Sequence, residues 1–372
     1  MKENKAKRVL HVLSGLHTGG VQSFVMNYYR AIDKNKIQFD FVVMDKNEGN
    51  LEKEAISLGA RIFRLRNIED DRRGFLQDLE RVLKEHQEIF AIHTHLNFLN
   101  YYILKIAKKC HIKKRVSHSH SNYPASTLLV NIARIFLRVG IRNYSTKLAA
   151  CSNSAGLWLY GKCGIKSKKF ELIYNAIDYN PYLHALRERD KLRQKMGLLN
   201  TTVFIHVGSI SLVKNQSFLV DLMDFFTQHN KKKKLLLIGD GKLRSVIEKQ
   251  IRDKGLQNDV VLFGNRNDVW DYLAASDCFL LPSIFEGLPI SLIEAQFSGL
   301  PCVISNFVSD EAILSGSLVY KLPLDVRKWY EKINTIDIKT TEMREREGQQ
   351  LIGSNYDIVK QCKRLEQLYE DN

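Results

Sequence analysis

The stretch EGLPISLIE carries two carboxylates, Glu286 and Glu294, on either side of a Gly-Leu-Pro and a short apolar run. The preceding CFLLPS reads as a buried strand. PISLIEAQFSG reads as a helix with Pro289 at its first position and Gly299 near its end. At such a helix start the amides around Gly287, Leu288 and Ile290 face out from the strand ends with the positive helix pole behind them, which makes an anion site. Glu286 stands on the loop before the helix, and Glu294 stands one turn beyond Ile290. Two acids beside an anion site suit a ligand with one phosphate-bearing part and several hydroxyls, such as a sugar nucleotide. A capping acid plus a solvated glutamate is the plainer reading of the same spacing.

The elements that must position these groups follow from the hydrophobic pattern. RVLHVLSG, FDFVVM, RIFRL, IFAIHTHL, KRVSHSH, KLAACS and FELIY are strand-like runs, most of them separated by helical segments. YNAIDYNPYLHAL breaks the rhythm as an interdomain connection. A second series then follows: TVFIHVGS, KKLLLIGDG, DVVLFGN, DCFLLPS, PCVIS and SLVYKL. The expected fold class is α/β, with two Rossmann-like domains that bind ligand at the carboxyl ends of their strands. Residues 1–178 form the first domain and 179–372 the second, and an amphipathic last helix (355–370) is placed to cross back to the first. On that helix Ile358, Cys362, Leu365 and Leu368 share one face.

Composition narrows the function classes. The 372 residues exceed twice a typical domain. The six cysteines form no CxxC pair, as expected of reduced thiols in a cytosolic enzyme. No run of 18 apolar residues suggests a membrane span, and the five-residue apolar core near the start is too short for a signal peptide. The net charge of +15 is lopsided: residues 1–173 hold 30 basic and 15 acidic residues, whereas 174–372 hold 26 of each. Residues 89–170 carry 14 Lys or Arg and no Asp or Glu, so the first half is expected to meet a polyanion. Nucleic acid is not the expected partner, because the aromatic interleaving of single-strand binders is absent. In TLLVNIARIFLRVGIRN, Arg134, Arg138 and Arg142 recur every four residues among Leu, Ile, Val and Phe. That stripe suits an anionic membrane surface, and one solvated edge of a domain helix is the plainer alternative.

SIFEGLPISLIEAQFSGLPCV, with its Glu-x7-Glu, resembles the signature of the family 4 glycosyltransferases, retaining enzymes of the GT-B fold, in which the two domains face across a cleft. The resemblance extends along nearly the whole chain through HTGGVQSF, HVGSISLVKNQ, LLLIGDG and LFGNRNDV. It is strongest to the enzymes that build bacterial capsular and extracellular polysaccharides. It implies that Glu286 bonds donor-sugar hydroxyls and that the backbone from Gly287 through Leu288 and Pro289 to Ile290 holds the sugar and diphosphate. Glu294 would accept from the ribose, and Lys214 would neutralise the leaving diphosphate. Backbone around Asn265 and Arg266 would border uracil, and Gly19 and Gly20 would admit diphosphate or acceptor.

A histidine near the reacting carbon matches His118, with His120 as its rival. His93 and His95 end the preceding strand, but these pairs have the spacing of strand faces and bring no carboxylate. No metal and no other cofactor is expected, and there is no Asp-x-Asp. The chain departs from the family pattern at Ser209, where an arginine is usual, and at Ala176, where glycine is usual.

The implied function is retaining, metal-independent hexosyl transfer from a UDP-sugar to a polyprenyl-diphosphate-linked saccharide. The enzyme is expected to be cytoplasmic and peripheral on the inner face of the plasma membrane. The alternative is a catalytically weak or inactive nucleotide-sugar-binding partner of another transferase.

Overall fold

The computed structural model describes residues 6–17, 19–120, 128–229, 231, 233–286 and 288–370, with side chains from 134 onward in the helix that begins at Leu128. The chain forms two compact units. The first comprises residues 1–178 and 355–372, and the second comprises 179–354.

All thirteen strand-like runs are strands. The first unit holds β1 (Lys7–Val12), β2 (Ile37–Val43), β3 (Ile62–Arg64), β4 (Ile89–Thr94), β5 (Lys114–Ser119), β6 (Lys147–Ala150) and β7 (Phe170–Leu172). Its sheet is parallel, in the order β3-β2-β1-β4-β5-β6-β7. The second unit holds β8 (Val203–Val207), β9 (Lys234–Ile238), β10 (Val260–Gly264), β11 (Cys278–Leu281), β12 (Cys302–Ser305) and β13 (Val319–Leu322). Its parallel order is β10-β9-β8-β11-β12-β13. In each sheet the winding direction reverses beside the first strand, between β1 and β4 and between β8 and β11. Loops leaving the carboxyl ends of those neighbours part in opposite directions and open a crevice.

Parallel sheets are covered on both faces, which is why their strands read as apolar runs rather than alternating ones. In the first unit Val9, Ala91 and Val116 pack beneath the helices Gly20–Ala31 and Ile358–Glu370, which contribute Phe24, Tyr28, Leu365, Leu368 and Tyr369. The last helix is tied in by the Ile358 amide donating to the Ile177 carbonyl at 3.1 Å. Leu10, Val12 and Ile92 face the opposite layer, with Phe75, Leu79, Ile103 and Leu159.

In the second unit Phe204, Leu235, Leu280 and Val303 pack against Leu219, Met223 and Trp329. A buried arginine closes one end of this unit. The Arg344 guanidinium donates to the carbonyls of Leu273, Ala274, Ser276 and Ser298 at 2.8–3.1 Å, and burial, with repulsion from Arg189 adding to it, pulls its pKa down to about 9. These carbonyls lie at or beside the carboxyl ends of the helices Val269–Ala275 and Ile290–Phe297, where helical acceptors lack intrahelical donors.

Candidate functional site

Lys214 and Glu286 come together at the reversal point of the second unit. Lys214 lies on the loop leaving β8 and Glu286 on the loop leaving β11, and Nζ meets Oε1 at 2.5 Å. Neighbouring contacts hold the two loops. The Ile284 amide donates to the Val213 carbonyl at 2.9 Å, and Asn215 Nδ2 donates to the Pro282 carbonyl at 3.2 Å. Ser283 Oγ donates to Glu286 Oε1 at 3.3 Å. Beneath Lys214, Gln216 Nε2 reaches the Ser209 carbonyl at 2.9 Å and His206 Nε2 at 3.1 Å, while His206 Nδ1 lies 2.9 Å from the Leu280 carbonyl. Burial, with repulsion from nearby Lys214 adding to it, lowers the His206 pKa to about 4.

The loop after β9 comes close enough to exclude side chains. Gly239 has φ +130°, and a Cβ there would lie 2.1 Å from the Gly208 carbonyl oxygen. The Glu286 backbone is fixed in turn, its amide donating to Phe307 at 3.3 Å and its carbonyl accepting from Ser309 at 3.0 Å.

The helix Ile290–Phe297 starts one residue later than the sequence pattern indicated. Pro289 is the residue before the helix, with φ −71° and ψ 111°, and no side chain caps the helix start. The Leu292 amide donates to the Pro289 carbonyl at 3.1 Å. Leu288 and Ile290 are half-buried, and Gly287 lies outside the described residues. One turn into the helix, Glu294 accepts from the Tyr182 hydroxyl at 2.8 Å. Burial raises the Glu294 pKa, and the bond from Tyr182 only partly opposes that rise. Sequence reading missed Tyr182, which lies 112 residues away and carries no motif.

At the end of β10, Asn265 and Arg266 are exposed. Both arms of the Arg266 guanidinium bond Asp268, at 2.8 and 2.6 Å, and the group lies 5.4 Å from the centre of the Tyr272 ring. Ser209 is exposed on the β8 loop, and Ala176 is buried in the first unit.

In the first unit Gly19 precedes the helix Gly20–Ala31 and Gly20 opens it. Gly19 is extended at φ −173°, so no left-handed turn requires either glycine. A Cβ on Gly20 would meet nothing within 4 Å, leaving backbone open to approach there.

The histidines near this helix form a stack. His118 is fully buried; its ring lies 4.1 Å from that of His120, and its Nδ1 lies 3.1 Å from His93 Nε2. His120, beyond the end of β5, keeps partial exposure. His11 on β1, which sequence reading passed over, joins them through Nδ1 at 3.0 Å from His95 Nε2. Its signal was the recurrence of histidine at matching places in VLHVL, AIHTH and VSHSH. Burial, aided in most by repulsion from neighbouring rings, lowers the pKa of all five, His120 to about 3.

On the helix Leu128–Tyr144 the three arginines turn partly inward. Arg134 lies over the rings of Phe98 and Trp158 at 5.3 and 5.6 Å, Arg138 donates to the Trp158 carbonyl at 2.7 Å, and Arg142 donates to the Tyr160 carbonyl at 3.3 Å. Among the described residues of this helix the apolar side chains of Ile135, Phe136 and Val139 are exposed, Phe136 at 73%. Among the described residues no helix is long and apolar enough to cross a membrane.

Residues 18–180 match the model of Glycosyltransferase Family 4, and residues 188–346 match that of Glycosyl transferases group 1. EpsF of Bacillus subtilis (strain 168), a protein named as a glycosyltransferase, is 33% identical over 88% of this chain and 87% of its own. The chain belongs to the family 4 glycosyltransferases. An Escherichia coli galactosyltransferase, whose name gives UDP-Gal as donor and a diphosphoundecaprenol-linked GlcNAc as acceptor, is 24% identical over 100% of this chain and 99% of its own. The crystal structure of Anabaena HepE in complex with UDP superposes with a TM-score of 0.77 at 19% identity, over 96% of this chain and 98% of that one. The fold of this transferase is therefore GT-B, with two Rossmann-like units in one chain.

Proposed function

We propose that this glycosyltransferase moves a hexose from a UDP-sugar to a hydroxyl of a polyprenyl-diphosphate-linked saccharide, with retention at the anomeric carbon and without a metal ion at the diphosphate. The observation that carries the reading is the 2.5 Å contact of Lys214 with Glu286 at the reversal point of the second sheet. In a nucleotide sugar the hydroxyl-bearing ring and the diphosphate are joined through one oxygen. A site for it needs a carboxylate for hydroxyls and a cation for phosphate side by side. Lys214 takes up the charge that grows on the departing diphosphate, and the start of the helix Ile290–Phe297 adds its amides. Glu286 then turns to the sugar hydroxyls. Glu294 receives the ribose hydroxyls, and the backbone at Asn265 and Arg266 borders uracil. The departing phosphate takes the acceptor proton, so no protein base is assigned. Of the two histidines read as near the reacting carbon, His118 is fully buried and His120 is the less buried one.

The E. coli relative, matched end to end, supports both donor and acceptor class. Attachment to an anionic membrane surface is supported by the acid-free basic span and by the outward Ile135, Phe136 and Val139. An inactive binding partner is not favoured, since the relatives are named as transferases.

The test is thermal shift with UDP, GDP and ADP, followed by mass spectrometry of transfer from a panel of UDP-sugars to a polyprenyl-diphosphate saccharide. UDP should raise the melting temperature, and Glu294→Ala should blunt that rise. An unchanged melt with all three nucleotides would refute the donor assignment. UDP binding without turnover would return the inactive-partner reading.

A further inference from the structure

Five of the eleven histidines occupy one face of the first unit's sheet, more than any role at a transfer site employs. They form two hydrogen-bonded files. In one, the Tyr369 hydroxyl lies 2.7 Å from His93 Nδ1, and His93 Nε2 lies 3.1 Å from His118 Nδ1. In the other, His11 Nδ1 lies 3.0 Å from His95 Nε2, and His95 Nδ1 lies 2.8 Å from His120 Nε2. A neutral imidazole offers one N–H and one lone pair, so each file ends in nitrogens with nothing left to bond. His118 Nε2 and His11 Nε2 are such buried ends, and His120 Nδ1 has the Asn175 side chain beside it without a well-formed hydrogen bond. Buried polar atoms of this kind call for an explanation.

We propose that His95, His118 and His120 bind a divalent transition-metal ion of the zinc class. One ring nitrogen from each lies within 4.8 Å of the others. Nitrogens about 2.0–2.1 Å from a tetrahedral zinc stand roughly 3.3 Å apart, so small side-chain adjustments close the set. The neighbouring rings already select the ligand atoms. His118 has its Nδ1 held by His93, leaving Nε2 unbonded, and His95 has its Nε2 held by His11, so the ion would take the place of the hydrogen bond between His95 Nδ1 and His120 Nε2. His93, with Tyr369 behind it, and His11 thus act as the outer partners that orient metal-bound imidazoles.

Three neutral nitrogens and no carboxylate favour zinc, cobalt, nickel or copper over magnesium or calcium. Three-histidine sites need no acid, so the missing carboxylate that argued against a metal in the sequence does not argue against this one. His11, His93 and His95 also lie close enough together. The outer trio is favoured because two of its members, His118 and His120, have an unbonded nitrogen, whereas in the inner one only His11 does, and because His120 is the least buried of the five. The ion would clamp the ends of β4 and β5.

The test uses the full chain, free of any polyhistidine tag, stripped with chelator and titrated with cobalt(II). One equivalent should give the intense visible bands of four-coordinate cobalt, and zinc should displace it. His120→Gln should weaken binding by more than about 100-fold, since even loss of an outer partner costs about 10- to 100-fold. His184→Gln and His229→Gln, both exposed, should leave it unchanged. If His120→Gln is unstable, the wild-type spectrum and stoichiometry decide. Absence of the bands, or full retention in a folded His120→Gln protein, would overturn the site and leave the five rings as a neutral hydrogen-bonded ladder.

Discussion

Lys214→Ala would leave Glu286 beside Ser283 without its cation. Because a lysine aimed at developing charge matters most in the transition state, turnover should fall about 100- to 1000-fold while the melting temperature changes little. The measurement is UDP release at saturating donor alongside a thermal melt. Wild-type turnover would assign the role to another cation. Ser209→Arg, which restores the cation usual in the family, lies on an exposed stretch of the same loop and should be neutral or favourable.

Glu294 has a second consequence, in pH dependence. Its folded-state pKa is raised, chiefly by burial, so the folded chain holds this proton more tightly than the unfolded one. Its contribution to stability is fully present below the ordinary glutamate range and is lost as pH rises through the raised value. Glu294→Gln should therefore melt higher than wild type near neutral pH, and the gain should shrink in acid. UDP binding should weaken in the same variant. Parallel melts across pH, with and without UDP, check both signs.

At the scale of the element, the proposed donor site depends on how closely three loops approach. A methyl group on Gly239 would press on the Gly208 carbonyl from a backbone at φ +130°, conditions that only glycine meets without strain. Gly239→Ala should cost about 1–3 kcal/mol of stability and displace the β8 loop that carries Lys214. Donor affinity should then fall along with the melting temperature. A variant that lost stability but kept wild-type UDP affinity would show that the β9 loop does not set the position of Lys214. Gly299, with φ +62° and the Arg344 carbonyl 2.2 Å from where its Cβ would lie, serves the far end of the helix Ile290–Phe297 in the same way.

At the scale of the whole molecule, the basic excess lies in one unit and the proposed nucleotide site in the other. Reversible attachment to anionic lipid at about 1 kcal/mol per nearby basic residue would hold a lipid-linked acceptor within reach. Arg134 and Arg138 are partly engaged with Phe98 and Trp158, and burial lowers the Arg138 pKa, with repulsion from Arg134 and Arg142 adding to it. The apolar contribution should therefore come from Ile135 and Phe136. Flotation with anionic vesicles should show binding that falls with salt, weakens when the three arginines become glutamine, and weakens further with Phe136→Ser. Equal binding to neutral vesicles would rule out the anionic surface.

The sequence by itself determined the strands, their division into two series and the acidic motif. These are local signals: apolar runs of strand length, a helix start with proline and glycine in place, and two acids with seven residues between them. It also showed which face the last helix buries, since a period of 3.6 needs no partner to be legible. What only the tertiary structure decided were the pairings across long separations. Lys214 meets Glu286, Tyr182 meets Glu294, and Tyr369 meets His93 across 276 residues. Such contacts come from strand order and from which layer a helix covers, and no local pattern encodes either. The arginine stripe shows the same limit. Its spacing placed all three on one face of a helix, but whether that face met lipid or the neighbouring Trp158 depended on what the fold packed beside it.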